Sequence, residues 1–193
     1  MPQIVILAGP NGAGKSTAAP ALLRGALRVR EFVNADVIAQ GLSGFNPDAA
    51  AVQAGRAMLE RLDSLAAKRV DFAFEATLAS RGLARRIRML GDTAGYRCSL
   101  VFLWLTSPEA AIQRVAARVR LGGHDVPEAT IRRRYHAAPR NFFTIYRPLT
   151  EMWRFYDNSG DGPPVLVAAG TGSETDRIAR PDLWRAIEEA YAG

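Results

Sequence analysis

The chain has 193 residues, 48% hydrophobic and 23% charged. That is the length of roughly one domain and an ordinary globular balance, which excludes a disordered tail or a collagen-like chain. With 25 basic and 19 acidic residues the net charge is +6, which attracts anions of every kind, from phosphorylated metabolites to nucleic acid or a membrane surface, and singles out none.

No apolar stretch approaches the ~20 residues of a membrane span. The N-terminus lacks the basic region of a signal peptide. A single cysteine, Cys98, leaves no internal disulfide to form, so a cytoplasmic address is the expected default. Only Lys15 and Lys68 are lysines; the other basic residues are arginines, which suits bidentate phosphate recognition and equally fits a genome-wide preference for arginine.

In chain order, the apolar run Gln3–Ala8 reads as a strand buried on both faces. A helix starting inside a glycine-rich turn follows. Pro20 falls one turn into it, where the missing N–H predicts a kink or a loosened turn. Glu31–Asn34 reads as a short second strand, and Gly41-Leu42-Ser43-Gly44 as a flexible turn. Asn46 and Pro47 read as the cap and first residue of a long helix to about Lys68. Val70–Glu75 alternates, placing Val70, Phe72 and Phe74 on one face and Asp71, Ala73 and Glu75 on the other.

A helix from about Ser80 to Leu90 and the buried strand Ser99–Leu105 come next. Ser107-Pro108-Glu109 opens a helix to about Arg120, ended by Gly122-Gly123. The segment from Leu121 to about Glu128 holds His124, Asp125 and Pro127 and reads as a mobile flap. A helix through Ile131–His136 is expected, with Pro139 and Pro148 breaking what comes later. Met152–Asp157 and Val165–Ala169 are the last strands, and about Pro181–Ala190 the last helix, packing Leu183, Trp184 and Ile187. Strands alternating with helices predict one α/β domain over residues 1–193, a mostly parallel sheet with helices on both faces.

The strongest signal is Gly9-Pro10-Asn11-Gly12-Ala13-Gly14-Lys15-Ser16, which fits G-x-x-x-x-G-K-[ST] with a buried strand before it and a helix after it. Backbone N–H groups of such a loop must all point at the phosphates, which large side chains would obstruct. The helix starting near Lys15 aims its positive end at the same anion. Lys15 can bridge the β- and γ-phosphates and the Ser16 hydroxyl can ligate Mg²⁺.

Three classes of nucleotide-binding protein use this loop. A transporter-type ATPase needs an apolar strand ending in an Asp-Glu pair, and none is present. A GTPase needs Asn-Lys-x-Asp, and no Asn-Lys pair exists. A kinase remains. It needs a base for the acceptor hydroxyl, cations over the transferring phosphoryl and a pocket for the acceptor.

Asp36, just past the second strand, is the candidate base; the alternative is a cap on the next short helix. Glu75 and Thr77 end the third strand at the same sheet edge, where a glutamate is equally often just solvated. The candidate lid is the Arg-rich element of about 114–136. Arg114 and Arg118 share a helix face, and Arg132, Arg133 and Arg134 begin its far side. Each arginine taken singly could belong to a solvated basic face.

These residues resemble the zeta-toxin kinases, especially the short bacterial members of that superfamily. The resemblance rests on GPNGAGKST at Gly9–Thr17, FVNADVIA at Phe32–Ala39, FEATL at Phe74–Leu78, and Arg114–Tyr135 with its GGHDVP turn. Tyr156-Asp157-Asn158-Ser159 resembles a further mark of the family. It implies a P-loop kinase fold with an Arg-rich lid, the nucleotide ATP at Gly9–Thr17, and Mg²⁺. It also implies a sugar hydroxyl as acceptor, the 3′-OH of UDP-N-acetylglucosamine in the characterised toxins.

By position, Asp36 would be the base, and Glu75 and Thr77 would face the acceptor. Lys15, Arg118 and one of Arg133 or Arg134 would hold phosphates. Asn34 and His124 are further candidates for acceptor contacts. A cognate antitoxin is an expected partner; nucleic acid and membrane are not. The alternatives are a kinase for another hydroxyl (a nucleoside, an amino sugar or a polynucleotide 5′ end) and a regulatory ATP-binding module.

Overall fold

The computed structural model describes residues 1–26, 29–43 and 49–193. Its core is a sheet of β1 (Gln3–Ala8), β2 (Glu31–Val33), β3 (Phe72–Ala76), β4 (Arg97–Trp104), β5 (Met152–Asp157), β6 (Val165–Thr171) and β7 (Glu174–Ile178), in the order β2-β3-β1-β4-β5-β6-β7. The first five strands in that order run parallel, and β6 and β7 add antiparallel. The expected mostly parallel α/β sheet is therefore what forms. The central strands are the most apolar because they have helices on both sides and no solvated face.

The helices are α1 (Lys15–Ala19), α2 (Ala35–Leu42), α3 (Ala51–Ala67), α4 (Gly82–Ala94), α5 (Pro108–Arg120), α6 (Glu128–Asn141) and α7 (Pro181–Tyr191). On one face, α3, α4 and α7 pack Leu62, Leu65, Ile87 and Trp184 against Ile4, Ile6, Phe74 and Phe102. On the other, α1, α5 and the start of α6 pack Ala19, Ala111, Val115 and Ile131 against Val5, Leu7, Val101 and Leu103. Phe102 is stacked on Phe155 at 4.9 Å and tilted against Phe142 at 5.1 Å. Each such ring contributes about 1.5–3 kcal/mol by leaving water. Cys98 belongs to this core, and burial pushes its thiol up to about 12, so it is neither a nucleophile nor a ready metal ligand.

The two faces read from the alternation in β3 are both covered: Phe72 and Phe74 lie in one core and Ala73, as buried as Phe72, in the other. Several local expectations are corrected. Glu31–Asn34 shortens to Glu31–Val33 because Asn34 is the cap of α2, accepting from the N–H groups of Asp36 and Val37 at 2.8 and 3.4 Å. Gly41 and Leu42 end α2 and Ser43 caps it, so this is a helix end and not a free turn; Gly44 lies outside the described residues. So do Asn46 and Pro47, and the helix that they were expected to open is described from Ala51.

Pro20 ends the α-helical wind at Ala19, and the chain continues as π-helix over Pro20–Ala26, the loosening that a missing donor produces. Pro139 does not break its helix. It sits buried inside α6, and the chain runs on as a π-helical turn, Phe142–Tyr146, and a 3₁₀ turn around Pro148. β7 was not foreseen because its sequence, ETDRI, is polar and four of its five residues are exposed; its pairing with β6 places it, not its pattern. Among the described residues no helix is long and apolar enough to cross a membrane.

Candidate active site

β1 lies between β3 and β4, so the strand order changes direction at its carboxyl end, where sheets of this kind leave a crevice for ligand. The glycine loop turns into that crevice. Gly9, Gly12 and Gly14 have φ of 140°, 76° and 78°, which side chains oppose. A Cβ on Gly12 would also lie 2.6 Å from the Ala111 carbonyl oxygen of α5. The loop is braced from the residue after β5: Asn158 Nδ2 donates to the Ala13 carbonyl at 2.8 Å.

Lys15 is buried; its Nζ donates to the carbonyls of Gly9 and Pro10 at 2.9 and 2.8 Å and lies 3.6 Å from Glu75 Oε1. Burial lowers its pKa, opposed by the charges of Glu75 and then Asp36. A polyphosphate beside Lys15 would raise the pKa again. Between the lowered and the raised value, nucleotide binding therefore takes up a proton, and affinity falls as pH climbs towards the ordinary lysine value of 10.5. Calorimetric titration with an ATP analogue in two buffers of different ionisation enthalpy should show this as a buffer-dependent heat that Lys15→Met removes. Identical heats in both buffers across that range would contradict it.

Glu75 joins the two halves of the site. Parallel pairing sets it opposite Leu7 of β1, which brings its Oε2 within 2.8 Å of Ser16 Oγ and 2.9 Å of Asn34 Nδ2. Asn34 Nδ2 also reaches Ser16 Oγ at 3.3 Å. Glu75 and Asn34 were expected to face the acceptor. Both line the cleft, and both engage the glycine loop: Glu75 its lysine and serine, Asn34 its serine. With its amide oxygen capping α2 and its amide nitrogen on Glu75, Asn34 ties the start of α2, and so Asp36, to the glycine loop.

The oxygens of Ser16 and Glu75 fit Mg²⁺, which favours hard oxygen donors, takes one or two carboxylates and completes its shell with phosphates and water. Among the described residues no group of three or more His, Cys, Asp or Glu side chains could hold a metal alone, so nucleotide phosphates would have to complete that shell.

Asp36, in the first turn of α2, faces α5: its Oδ2 lies 3.9 Å from Arg118 Nη1, and both side chains are partly exposed. Arg118 Nη2 donates to the His124 carbonyl at 2.7 Å, tying the end of α5 to the segment after it. A Cβ on Gly123 would stand 2.5 Å from Arg118 Cγ, so the glycine there lets the arginine pass. Val126 of the same segment is buried in the second core, so the expected flap is anchored at that point. Asp36, Arg118 and His124 all line the cleft.

The other arginines separate. Arg114 donates to the carbonyls of Asn158, Ser159 and Gly160 at 2.7, 3.1 and 3.2 Å, so it supports the loop after β5. Arg132 is held by Glu109 and Glu128. Arg133 is exposed and does not line the cleft. Arg134 does line it, donating to Asn11 Oδ1 of the glycine loop at 3.1 Å. Of the pair left open by the sequence, only Arg134 therefore lines the cleft and reaches the glycine loop.

Thr77 lines the cleft, its Oγ1 accepting from the Ala79 N–H at 3.4 Å. The next residue, Leu78, has φ of 54°, a conformation that costs a non-glycine residue of order 1–3 kcal/mol. It is held by Asn141 Nδ2 on the Leu78 carbonyl at 2.7 Å and by the Tyr146 hydroxyl on the Ser80 carbonyl at 2.6 Å. Sequence reasoning missed Asn141. An asparagine near a helix end carries no signal of its own, and only the tertiary path of α6 across the sheet edge brings it here. Arg56 of α3 also lines the cleft and was likewise unmarked. The cleft that these elements enclose is about 1000 Å³.

Sheet order, glycine loop and cleft together define a nucleotide-binding α/β domain with the fold of the P-loop kinases. More narrowly, the chain belongs to the AAA domain family whose model matches residues 4–138. An uncharacterized protein of Haemophilus influenzae is 27% identical over 135 residues, 69% of this chain and 92% of that protein.

Among solved structures, a chain of the AvrRxo1-ORF1:AvrRxo1-ORF2 complex with sulphate ions superposes with a TM-score of 0.76 at 17% identity over 97% of this chain. This chain spans 63% of that one, less than two thirds of its length. A chain from the PezAT chromosomal toxin–antitoxin system of Streptococcus pneumoniae superposes with a TM-score of 0.66 at 16% identity, covering 100% of this chain and 79% of that one. At these identities the likeness is one of fold.

Proposed function

We propose that the chain is an ATP- and Mg²⁺-dependent small-molecule kinase of the zeta-toxin type, acting as one cytoplasmic catalytic domain with residues 114–136 as its lid. The observation that carries this reading is the placing of Asp36 beside Arg118, 3.9 Å apart, in the same cleft as Lys15 and Ser16. A carboxylate for the acceptor proton and a guanidinium for the transferring phosphoryl thus stand side by side across from the phosphate loop. A regulatory module has no need of that pair.

In this mechanism the glycine loop and Lys15 hold the β- and γ-phosphates, and Ser16 and Glu75 hold the metal. Bound Mg²⁺ supplies charge neutralisation on the phosphate oxygens. The acceptor hydroxyl lies against Asp36, in line with the γ-phosphorus. Its oxygen attacks as the bond to the β–γ bridging oxygen breaks. The hydroxyl proton passes to Asp36, and ADP leaves with the bridging oxygen. Arg118 and Arg134 stabilise the charge that spreads over the transferring group.

Thr77 and His124 are the proposed acceptor contacts, and the 3′-hydroxyl of UDP-N-acetylglucosamine is the acceptor to test first. An antitoxin protein is the proposed partner, by analogy with the PezAT toxin–antitoxin system. The test is incubation of the pure protein with γ-labelled ATP and a panel of nucleotide sugars, nucleosides and oligonucleotides. Label should appear in a sugar hydroxyl. ATP binding with no acceptor-dependent ADP release would favour the regulatory module.

The lid has its own expected result. Hydrogen exchange over residues 119–130 should slow when a non-hydrolysable ATP analogue binds, because Arg118 and Arg134 flank this segment and would both be drawn onto phosphate. Equal exchange with and without nucleotide would remove the lid.

A further inference from the structure

Part of the cleft, its chamber side, is lined by one face of α3 and by residues that follow β3. Val52, Arg56 and Leu59 recur at helical spacing on that face, and Leu78, Ser80 and Leu83 stand among the residues lining the other side. A cleft of about 1000 Å³ is at the upper end of the roughly 300–1,000 Å³ of small-molecule sites.

The other cations of the cleft, Lys15, Arg114, Arg118 and Arg134, come from the glycine loop, α5 and α6, where the phosphates are expected. Arg56 is the one basic residue contributed by the chamber side of the described cleft lining. Its neighbours on α3 are already engaged: Arg61 pairs with Glu31 at 2.8 Å, and Asp63 pairs with Arg86. Among the described residues Arg56 itself has no ion pair or hydrogen-bond partner. A guanidinium presents a fork of donors matched to carboxylate or phosphate oxygens, and here it is exposed to the cleft and open to such a contact.

We infer that the acceptor is an anion: a small hydroxylated molecule whose carboxylate or phosphoryl group is held by Arg56 while its hydroxyl reaches Asp36. Arg56 is then the residue that determines acceptor class. This rests on the kinase reading above.

The experiment uses matched probes: gluconate against sorbitol for the carboxylate source, and UDP-N-acetylglucosamine against N-acetylglucosamine for the phosphoryl source. Each is titrated into the full chain loaded with a non-hydrolysable ATP analogue, and each is assayed for transfer from γ-labelled ATP. At least one anionic probe should bind and accept phosphate far better than its neutral partner.

Arg56→Gln should raise KM for that probe by roughly tenfold to a hundredfold, the range of one charge-assisted contact. The loss should fall in KM and not in kcat, nucleotide affinity should stay within about twofold, and Arg56→Lys should recover part of it. Equal use of the neutral partner, an unchanged KM in Arg56→Gln, or no binding of either anionic probe would overturn the inference. Arg56-dependent binding with no transfer to any probe would instead overturn the kinase reading and leave the anion contact standing.

Discussion

Arg118→Ala is expected to lower kcat by ~10³–10⁵, the range over which an arginine finger acts on a transferring phosphoryl group. Arg118 leaves the last turn of α5, is held by the His124 carbonyl at 2.7 Å and reaches 3.9 Å from Asp36, so its charge lies where the γ-phosphoryl would pass to the acceptor. The side chain is 38% exposed, and its removal opens no core cavity. Thermal stability should therefore hold, and the loss should fall on turnover. Single-turnover transfer from γ-labelled ATP reads the chemical step directly. Arg118→Lys should recover little of it, because an ammonium cannot reproduce the fork of the guanidinium. A loss below tenfold in Arg118→Ala would make Arg118 a surface charge.

Asp36→Asn should lower kcat by ~10²–10⁴, the usual cost of removing a general base, while ATP affinity stays within a few-fold. The substitution keeps shape and most hydrogen bonding, so it tests the carboxylate alone. The fold gives a clean control. The cap of α2 is Asn34, whose side chain accepts from the N–H of Asp36 at 2.8 Å, so the Asp36 side chain can change without releasing the helix. A carboxylate is a weak base for an alcohol; the proton therefore passes late, as the bond to phosphorus forms. A variant with an undiminished rate removes Asp36 as the base. Asn34→Ala is the contrasting case: it frees both α2 and Glu75, and should cost stability as well as rate.

The parts of the site that the sequence carried are local. Gly9–Ser16 could be read because its demands, positive φ and no side chains towards the phosphates, are written in residue types at fixed spacing. Asp36 and Glu75 could be placed at the carboxyl edge because one follows and the other ends a strand of recognisable pattern. What Glu75 does there was not legible. It depends on β3 pairing beside β1, and that neighbourhood makes Glu75 a partner of Ser16 and Lys15.

The arginines show the same division. Residues 132–134 look alike in sequence, yet Arg132 meets Glu109 and Glu128, Arg133 stays away from the cleft, and Arg134 reaches Asn11. A helix turns about 100° per residue, so three consecutive side chains must face three directions; only packing decides which one meets the site.

By itself the sequence determined the α/β class, the central buried strands and the phosphate loop, since each follows from hydrophobic period or from backbone geometry within a few residues. Tertiary structure alone decided that Asn141 and Tyr146 hold the strained turn at Leu78, that Arg114 supports the loop after β5, and that Arg56 enters the cleft. Those contacts join residues tens of positions apart. Which of them form is set by strand order and helix packing, and neither has a trace in local pattern.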